Sequence, residues 1–491
     1  MAERVVVIGA GMAGLWTALA LAPTGREVIL LERDPPPPDD DPDVAFETWA
    51  RRGVGQLRHS HAFLARLRLL IRDRHPELLA ELHAAGCRDL GLDGSLTARH
   101  RERYVPKPVD EDLVILTSRR TTLELVMRRY VARLPGVTIR SGAFVRELVV
   151  EPGPVPRVTG VRLDDSVLSA DVVVDAAGRT SPATEQLAAA GAPVREDSEG
   201  AGVIYFTRFY RLRPGAEEPP RGQAPSNGDL GYLKFGVFPG DSGWFSITLC
   251  TPEIEEELRK AIVDPAVFDA VCRALPGPAR WIEPERAEGA SRVFGMGQLE
   301  SRWRDFAPGG RAAVHGFFAL GDSLVRSNPL YGRGCSFAAV SAELLREALD
   351  AGSDPEARLV RYVAGLEREL RPYYEVMRDA DRTALRRARQ ALLGARPSLR
   401  GRMVKSFLDD GVAIALREDV DLLRAFLRGF HMLEHPQAWL KRPANLAKVL
   451  ATWARPRRTK AYPPKLGPDR REMLSALGLP AEADAARLLG A

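Results

Sequence analysis

The chain has 491 residues, 45% of them hydrophobic and 27% charged, with a formal net charge of +5; that balance suits a globular protein with two or three cores and excludes a disordered or fibrous chain. Four cysteines, Cys87, Cys250, Cys272 and Cys335, are scattered without a C-x-x-C pair, which indicates neither a disulfide framework nor a zinc site. A basic run such as Arg455 to Lys460 could meet nucleic acid or an anionic membrane surface but reads as a solvated face; no nucleic-acid-binding motif accompanies it, and nothing in the sequence supports membrane contact.

The first element is a buried strand, Val5 to Ile8, running into Gly9-Ala10-Gly11-Met12-Ala13-Gly14, a G-x-G-x-x-G turn that opens a helix. Gly9 allows the tight turn, Gly11 lets the backbone approach a pyrophosphate, and Gly14 lets the helix pack on the sheet. The uncapped helix N-terminus then favours an anion. A second strand, Val28 to Leu31, ends in Glu32, 18 residues beyond Gly14, where a carboxylate accepts from ribose hydroxyls and disfavours a 2′-phosphate. Residues 5 to 22 carry no charge, as in a signal peptide or membrane span, but fingerprint glycines are foreign to a spanning helix. No other stretch is long and apolar enough to span a bilayer, so the expected location is cytoplasmic.

Pro35 to Asp43 predicts an exposed extended loop. Leucine spacing predicts helix over 62–85 with a break at Pro76, and a second helix over Thr121–Leu134 capped by Thr121 or Thr122. Strands are expected over Gly142–Val150, Val158–Leu163 and Asp171–Asp175. Val203–Tyr210, Tyr232–Phe238 and Trp244–Leu249 are rich in aromatic and β-branched residues and predict an antiparallel sheet. Its aromatics, Tyr205, Phe206, Phe209, Tyr232, Phe235, Phe238, Trp244 and Phe245, are expected to be mostly core, with some lining an apolar pocket. Phe317–Leu320 returns to a buried strand, a helix follows over about 334–349, and amphipathic helices are expected around 360–390, 403–430 and 468–490. No repeat, Ser-His-Asp arrangement, P-loop or metal cluster is present in the sequence.

Three separated segments, Gly9 to Gly14, Val172 to Ser181, and Ala319-Leu320-Gly321-Asp322-Ser323 through Asn328-Pro329-Leu330-Tyr331-Gly332-Arg333-Gly334, resemble the flavin motifs of FAD-dependent group A monooxygenases, the para-hydroxybenzoate hydroxylase-like fold. Gln56-Leu57-Arg58-His59-Ser60-His61, Arg120-x-x-Leu123-Glu124 and the N-P-x-Y-G-x-G form of the third motif are most similar to the polyether-epoxidase-like branch. The resemblance, which covers roughly residues 1 to 350, implies an α/β Rossmann-type (glutathione-reductase-like) FAD-binding domain over 1–200 and 290–350, with part of 62–110 covering the substrate side. An antiparallel-sheet substrate domain over 201–289 and a helical C-terminal region over 351–491 complete the expected organisation.

By the same resemblance, FAD would contact Gly9, Gly11, Met12, Ala13, Gly14, Glu32, Arg33, Arg120, Val145, Gly321, Asp322, Pro329, Gly332, Gly334 and Cys335. Asp322 would meet the ribityl hydroxyls, and the helix opening at Gly334 would point at the flavin N1–C2=O edge. His59, His61 and Pro329 are candidates for catalysis; the histidines would face one side together if 59–61 were a strand. The implied reaction is hydroxylation or epoxidation of a hydrophobic small molecule by molecular oxygen through a flavin C4a-hydroperoxide, in a site that excludes water. Ala177 stands where the family's middle motif has Asp, a residue linked there to both flavin and nicotinamide binding. NADH or NADPH is therefore expected as direct or indirect donor, the indirect route needing a separate flavin reductase. A flavin-dependent halogenase and an isoprenoid reductase are the rivals; the halogenase pattern W-x-W-x-I-P is replaced here by Gly243-Trp244-Phe245-Ser246-Ile247-Thr248, and no lysine precedes Lys107.

Overall fold

The computed structural model of the chain describes residues 2–222, 224–393 and 398–480. The elements that build the site are, in chain order, β1 (Arg4–Ile8), α1 (Met12–Leu21), β2 (Glu27–Glu32), α2 (Arg120–Ala132), β3 (Val137–Ser141), β4 (Val172–Asp175), β5 (Val203–Leu212), β6 (Lys234–Pro239), β7 (Trp244–Pro252), β8 (Phe317–Ala319), α3 (Gly334–Asp350), α4 (Pro355–Glu369), α5 (Arg371–Leu393) and α6 (Val420–Phe430).

A parallel sheet in the order β8-β4-β1-β2-β3 forms the principal core. Its central strands are apolar without alternation because both faces are covered: Val5, Val6, Val7, Val173 and Val174 are fully buried. Helix α1 is apolar nearly all round, with Leu15, Trp16, Leu19 and Leu21 inaccessible, and packs between the sheet and α3. Each such side chain contributes about 1.5–3 kcal/mol by burial. The second sheet is antiparallel, and β6-β7-β5 is its centre. The C-terminal helices α4, α5 and α6 lie beyond α3 in the chain, and α4 packs on it.

Local expectations held unevenly. The 62–85 segment is two helices, Ala65–Arg74 and Pro76–Ala84, parted at His75. The proline-rich loop ends sooner than its composition suggests, because Pro42 takes the first position of a short helix, Pro42–Thr48, capped by Asp41. Neither Thr121 nor Thr122 caps α2. Its N-cap is Arg119, whose amide donates to Asp241 Oδ1 at 2.7 Å, and Thr122 Oγ1 donates to Asp241 Oδ2 at 2.9 Å. A carboxylate distant in sequence thus does the work of a local cap.

The strand expected over 142–150 begins only at Glu147, and the unexpected β3 just before it forms the sheet edge. The run around 403–430 is interrupted: a π-helical turn, Phe407–Val412, separates Leu399–Ser406 from Ala413–Glu418, and α6 follows. Of the helix expected over 468–490, Arg470–Ala476 is observed, and 481–490 lie outside the described residues. Among the described residues no helix is long and apolar enough to cross a membrane.

Candidate active site

A cavity of about 830 Å³ lies at the C-terminal ends of the parallel strands. Gly9, Glu32, Ala176 and Gly321 come at or just after the ends of β1, β2, β4 and β8, and all four line it, the position where open α/β sheets bind ligands. Met12, Ala13, Arg33, His59, His61, Arg120, Val145, Asp322, Pro329, Gly332, Gly334 and Cys335 line the same space, as does Gly11. Gly14 alone of the expected set stands behind the wall, where a Cβ would sit 2.0 Å from the Gly9 carbonyl oxygen. Gly9 has φ +101°, and a Cβ there would meet the Ala176 oxygen at 2.6 Å, so both positions exclude a side chain.

At this end of the cavity the N-terminus of α1 has no side-chain cap, leaving amide donors for an anion. Glu32 is buried and already accepts from the Ala10 amide at 2.9 Å, the Asp34 amide at 3.0 Å and the Arg51 guanidinium at 3.0 Å. A carboxylate offers about four lone-pair sites, so it retains capacity for a further donor. Arg51 is the hub beneath it, also bonded to Glu124 Oε1 at 2.5 Å and 3.6 Å from Asp34. Burial would raise the Glu124 carboxyl, but Arg51 and Arg120 hold it below its ordinary range. Arg51 escaped the sequence reading: only the fold brings it to Glu32, and no motif marks it.

Arg120 occupies the middle of the cavity wall. Its Nε donates to Glu124 Oε2 at 2.9 Å, and its Nη1 reaches His61 Nε2 at 3.4 Å and Cys335 Sγ at 3.5 Å. Burial and the Arg120 charge drive His61 down to about 3; the neutral ring therefore donates from Nδ1 to the His59 carbonyl at 2.9 Å and presents Nε2 as acceptor to Arg120. Asp322 is raised by burial, against Arg326 and Arg120, and its side chain has one long contact, Gln56 Nε2 at 3.5 Å. Residues 55–58 are a turn and 59–61 are not a strand, so strand alternation does not place the two histidines, although both line the cavity.

The sheet register decides what faces the cavity. Lys234, Cys250 and Tyr205 pair across β6-β7-β5, as do Gly236, Thr248 and Thr207, and all six line the cavity. The alternate row, Phe235, Leu249 and Phe206, belongs to the second core together with Tyr210, Tyr232 and Phe245. Of the strand aromatics, Tyr205, Phe235 and Phe238 reach the cavity, and Phe209 and Trp244 pack on Phe46 instead. Hydroxyls occupy much of the facing wall: His59 Nδ1 meets Thr207 Oγ1 at 3.0 Å, Thr207 meets Thr248 at 2.8 Å, and Thr248 and Ser246 each meet Ser60 at 2.7 Å. Burial lowers His59 to about 4, so it is neutral at pH 7.

The 328–334 turn closes the far end, held by residues that sequence reasoning did not connect. Asn328 Oδ1 accepts from the Tyr205 hydroxyl and from the Leu330 amide at 3.0 Å. Asp381 Oδ1, from α5, accepts from Asn328 Nδ2 at 2.8 Å and the Tyr331 hydroxyl at 2.9 Å. Phe430 and His431, at the end of α6, also line the cavity. The end of α6 is therefore part of its wall, and α5 braces the turn that closes it.

The arrangement fits FAD on three counts. The cavity has the length to run from the α1 N-terminus to the N-terminus of α3, which also lacks a side-chain cap. A Cβ at Gly334 would meet nothing within 4 Å, and one at Gly11 nothing nearer than 3.8 Å, so both backbones are open to a flat ligand. Glu32 and Asp322 supply acceptors for ribose and ribityl hydroxyls at separated points.

Residues 4–107 match the family model described as FAD dependent oxidoreductase. A search of curated proteins returned no match. Among solved structures, pqsL, a probable FAD-dependent monooxygenase from Pseudomonas aeruginosa, is 20% identical with TM-score 0.56, over 80% of this chain and 99% of that one. The myxobacterial chondrochloren halogenase CndH is 17% identical with TM-score 0.57, over 89% and 97%. The Diels-Alderase PyrE3 of pyrroindomycin biosynthesis is 16% identical with TM-score 0.57, over 88% and 81%. Residues 4–107 are thus similar to the FAD dependent oxidoreductase model, and the chain has the fold of these solved proteins, a probable FAD-dependent monooxygenase and a halogenase among them.

Proposed function

We propose that the chain is a monooxygenase that uses FAD and molecular oxygen to hydroxylate or epoxidise a hydrophobic small molecule. The observation that carries this reading is the single continuous cavity joining an anion-accepting helix N-terminus to the face of an antiparallel sheet. Bound FAD would supply the activation of oxygen and the transfer of one oxygen atom to substrate.

The chain's own residues then have defined tasks. The α1 amides and Gly11 receive the pyrophosphate, and Glu32, fixed by Arg51, takes the ribose. Arg120 and Asp322 hold the middle of the cofactor, and Pro329, Gly332 and Gly334 flank the ring. Phe238, Tyr205 and Leu299 give the substrate an apolar wall, and the Thr207–Thr248 pair with neutral His59 offers hydrogen bonds to an oxygen function on it. Burial keeps His59 and His61 uncharged, which favours a weakly hydrated site. The electron donor is NADH or NADPH, used directly or, given Ala177, through a separate flavin reductase.

Purified protein should take up FAD and turn yellow. With ¹⁸O₂, NADH or NADPH, and a lipophilic alkene or arene such as farnesol or naphthalene, with and without added flavin reductase, ¹⁸O should enter the organic product. Failure to retain FAD, or product formed only with added chloride or bromide and carrying halogen, would overturn this reading in favour of a non-flavin or halogenase role.

A further inference from the structure

Among the described residues eight arginines are buried to less than a tenth of their surface: Arg51, Arg119, Arg120, Arg128, Arg302, Arg304, Arg333 and Arg424. Six of them have a carboxylate oxygen within 4.0 Å. Arg128 has none in contact but lies in the field of Glu32, Glu124 and Asp34. Arg333 differs from all of these. Only 4% exposed, it has no carboxylate in contact among the described residues and none among the charges that act on it there.

Its surroundings are aromatic. The guanidinium lies 5.2 Å from the Tyr373 ring centroid, 5.7 Å from Phe430 and 5.9 Å from Tyr331. Its one hydrogen bond is long, Nη2 to the Phe430 carbonyl at 3.4 Å, and Nε is buried with no partner among the described residues. Three rings accommodate a cation through their faces but do not neutralise it. A buried charge in this condition is costly, and burial accordingly lowers Arg333 to about 10. An isosteric apolar side chain would pack there without the cost.

The position says where the missing negative charge belongs. Arg333 is the N-cap of α3, a helix of 17 residues whose first turn lacks a side-chain cap and an acidic residue. The neighbours on either side, Gly332 and Gly334, line the cavity, as do Phe430 and Tyr331, which pack on the guanidinium. The charge therefore stands just behind the cavity wall, where it adds to the positive end of the helix. His431, which also lines the cavity and is buried and lowered to about 4, contributes no charge at pH 7.

Building on the flavin reading above, we propose that Arg333 is a positioning charge left without a counter-ion among the described residues, so that negative charge on the bound flavin ring supplies it. Arg333 acts through the field at the α3 N-terminus and need not touch the cofactor. Its role is to favour every state in which the ring carries extra negative charge.

The test uses FAD-loaded protein and sulfite, whose lone pair adds to N5 of oxidised flavin and leaves a negative charge on the ring; the bleaching of the flavin band reads the affinity. R333M should weaken sulfite binding about tenfold, the scale of one charge in a partly buried site, with FAD affinity nearly unchanged and the apoprotein melting at or above the wild-type temperature. R333K should retain most of the sulfite affinity. Equal sulfite affinity in wild type and R333M overturns the proposal while leaving the flavin reading intact. So does selective stabilisation of wild-type apoprotein, but not R333M, by chloride with sulfite affinity unaltered, which would assign Arg333 to a small inorganic anion. If R333M melts far below wild type, the R333K and R333Q pair decides: equal sulfite affinity in those two refutes a charge effect. A chain that takes up no FAD refutes both readings.

Discussion

Asp381 ties the C-terminal helices to the turn that closes the cavity, and its removal has a magnitude that the structure lets one work out. Replacement by alanine deletes the acceptor for Asn328 Nδ2 and the Tyr331 hydroxyl. Hydrogen bonds to a charged acceptor contribute about 1.5–3 kcal/mol each, a gross loss of about 3–6 kcal/mol. Against it stands relief: burial raises the Asp381 carboxyl, and its Oδ2 is buried without a partner among the described residues, a cost of several kcal/mol in an ion of this kind. The net effect of D381A is then a loss of about 1–3 kcal/mol. D381N keeps an acceptor oxygen for both donors and loses the buried charge, so it should match or exceed wild type. Because the donors belong to the turn beside the ring site, D381A should also weaken FAD binding about tenfold, or 1.4 kcal/mol, and D381N by much less. Thermal unfolding of the apoprotein and fluorescence titration with FAD measure both. D381N falling as far as D381A would refute the reasoning, since the charge and not the two bonds would then matter; so would D381A with wild-type stability and FAD affinity.

G14A places a methyl 2.0 Å from the Gly9 oxygen and should cost about 2–3 kcal/mol together with FAD uptake; an FAD-replete G14A protein of normal stability would contradict the close packing of α1 on the glycine turn. R51M leaves Glu32, Asp34 and Glu124 without their shared cation and should lower stability by about 3–5 kcal/mol, with partial recovery in R51M/E124Q; no recovery in denaturant melts would mean that the three acids are not coupled through Arg51. Acid should destabilise the fold through its neutral histidines. His59 and His431 are lowered from 6.5 to about 4, so the unfolded chain binds the extra protons, and their stability contribution is full above pH 6.5 and lost as pH falls toward 4. Each accounts for about 2–3 kcal/mol by pH 4. Urea midpoints measured between pH 7 and 4.5 should fall less steeply in H59Q, and an unchanged slope in that variant would exclude the histidine as a cause.

What could be read from the sequence depended on whether a feature was local. The β1–Gly9–Gly14–α1 unit was legible because strand, turn and helix N-terminus are consecutive, and their spacing is set by one ligand group and one packing contact. The polar row of the sheet was harder: Tyr205, Thr207, Cys250 and Thr248 stand among aromatics, and only the pairing of β5 with β7 shows that this row turns inward and most of the aromatic row turns to core. A sheet face is fixed by register, which alternation within one strand does not supply when both faces are buried. The cap of α2 and the hub at Arg51 were out of reach for a different reason, because Asp241 and Glu124 lie 122 and 73 residues from the arginines they bind. The C-terminal helices combine both difficulties. Their amphipathic spacing announced helices, but that Asp381 braces the cavity's closing turn and Phe430 joins its wall depends on contacts with residues 53 and 97 positions earlier. The charge that distinguishes the turn, on Arg333, is visible in the motif as one arginine among many; that it is buried without a partner follows from the three rings packed around it, Tyr331, Tyr373 and Phe430, two of them supplied by those helices. A motif therefore locates the ends of the cavity, and tertiary packing decides the electrostatics between them.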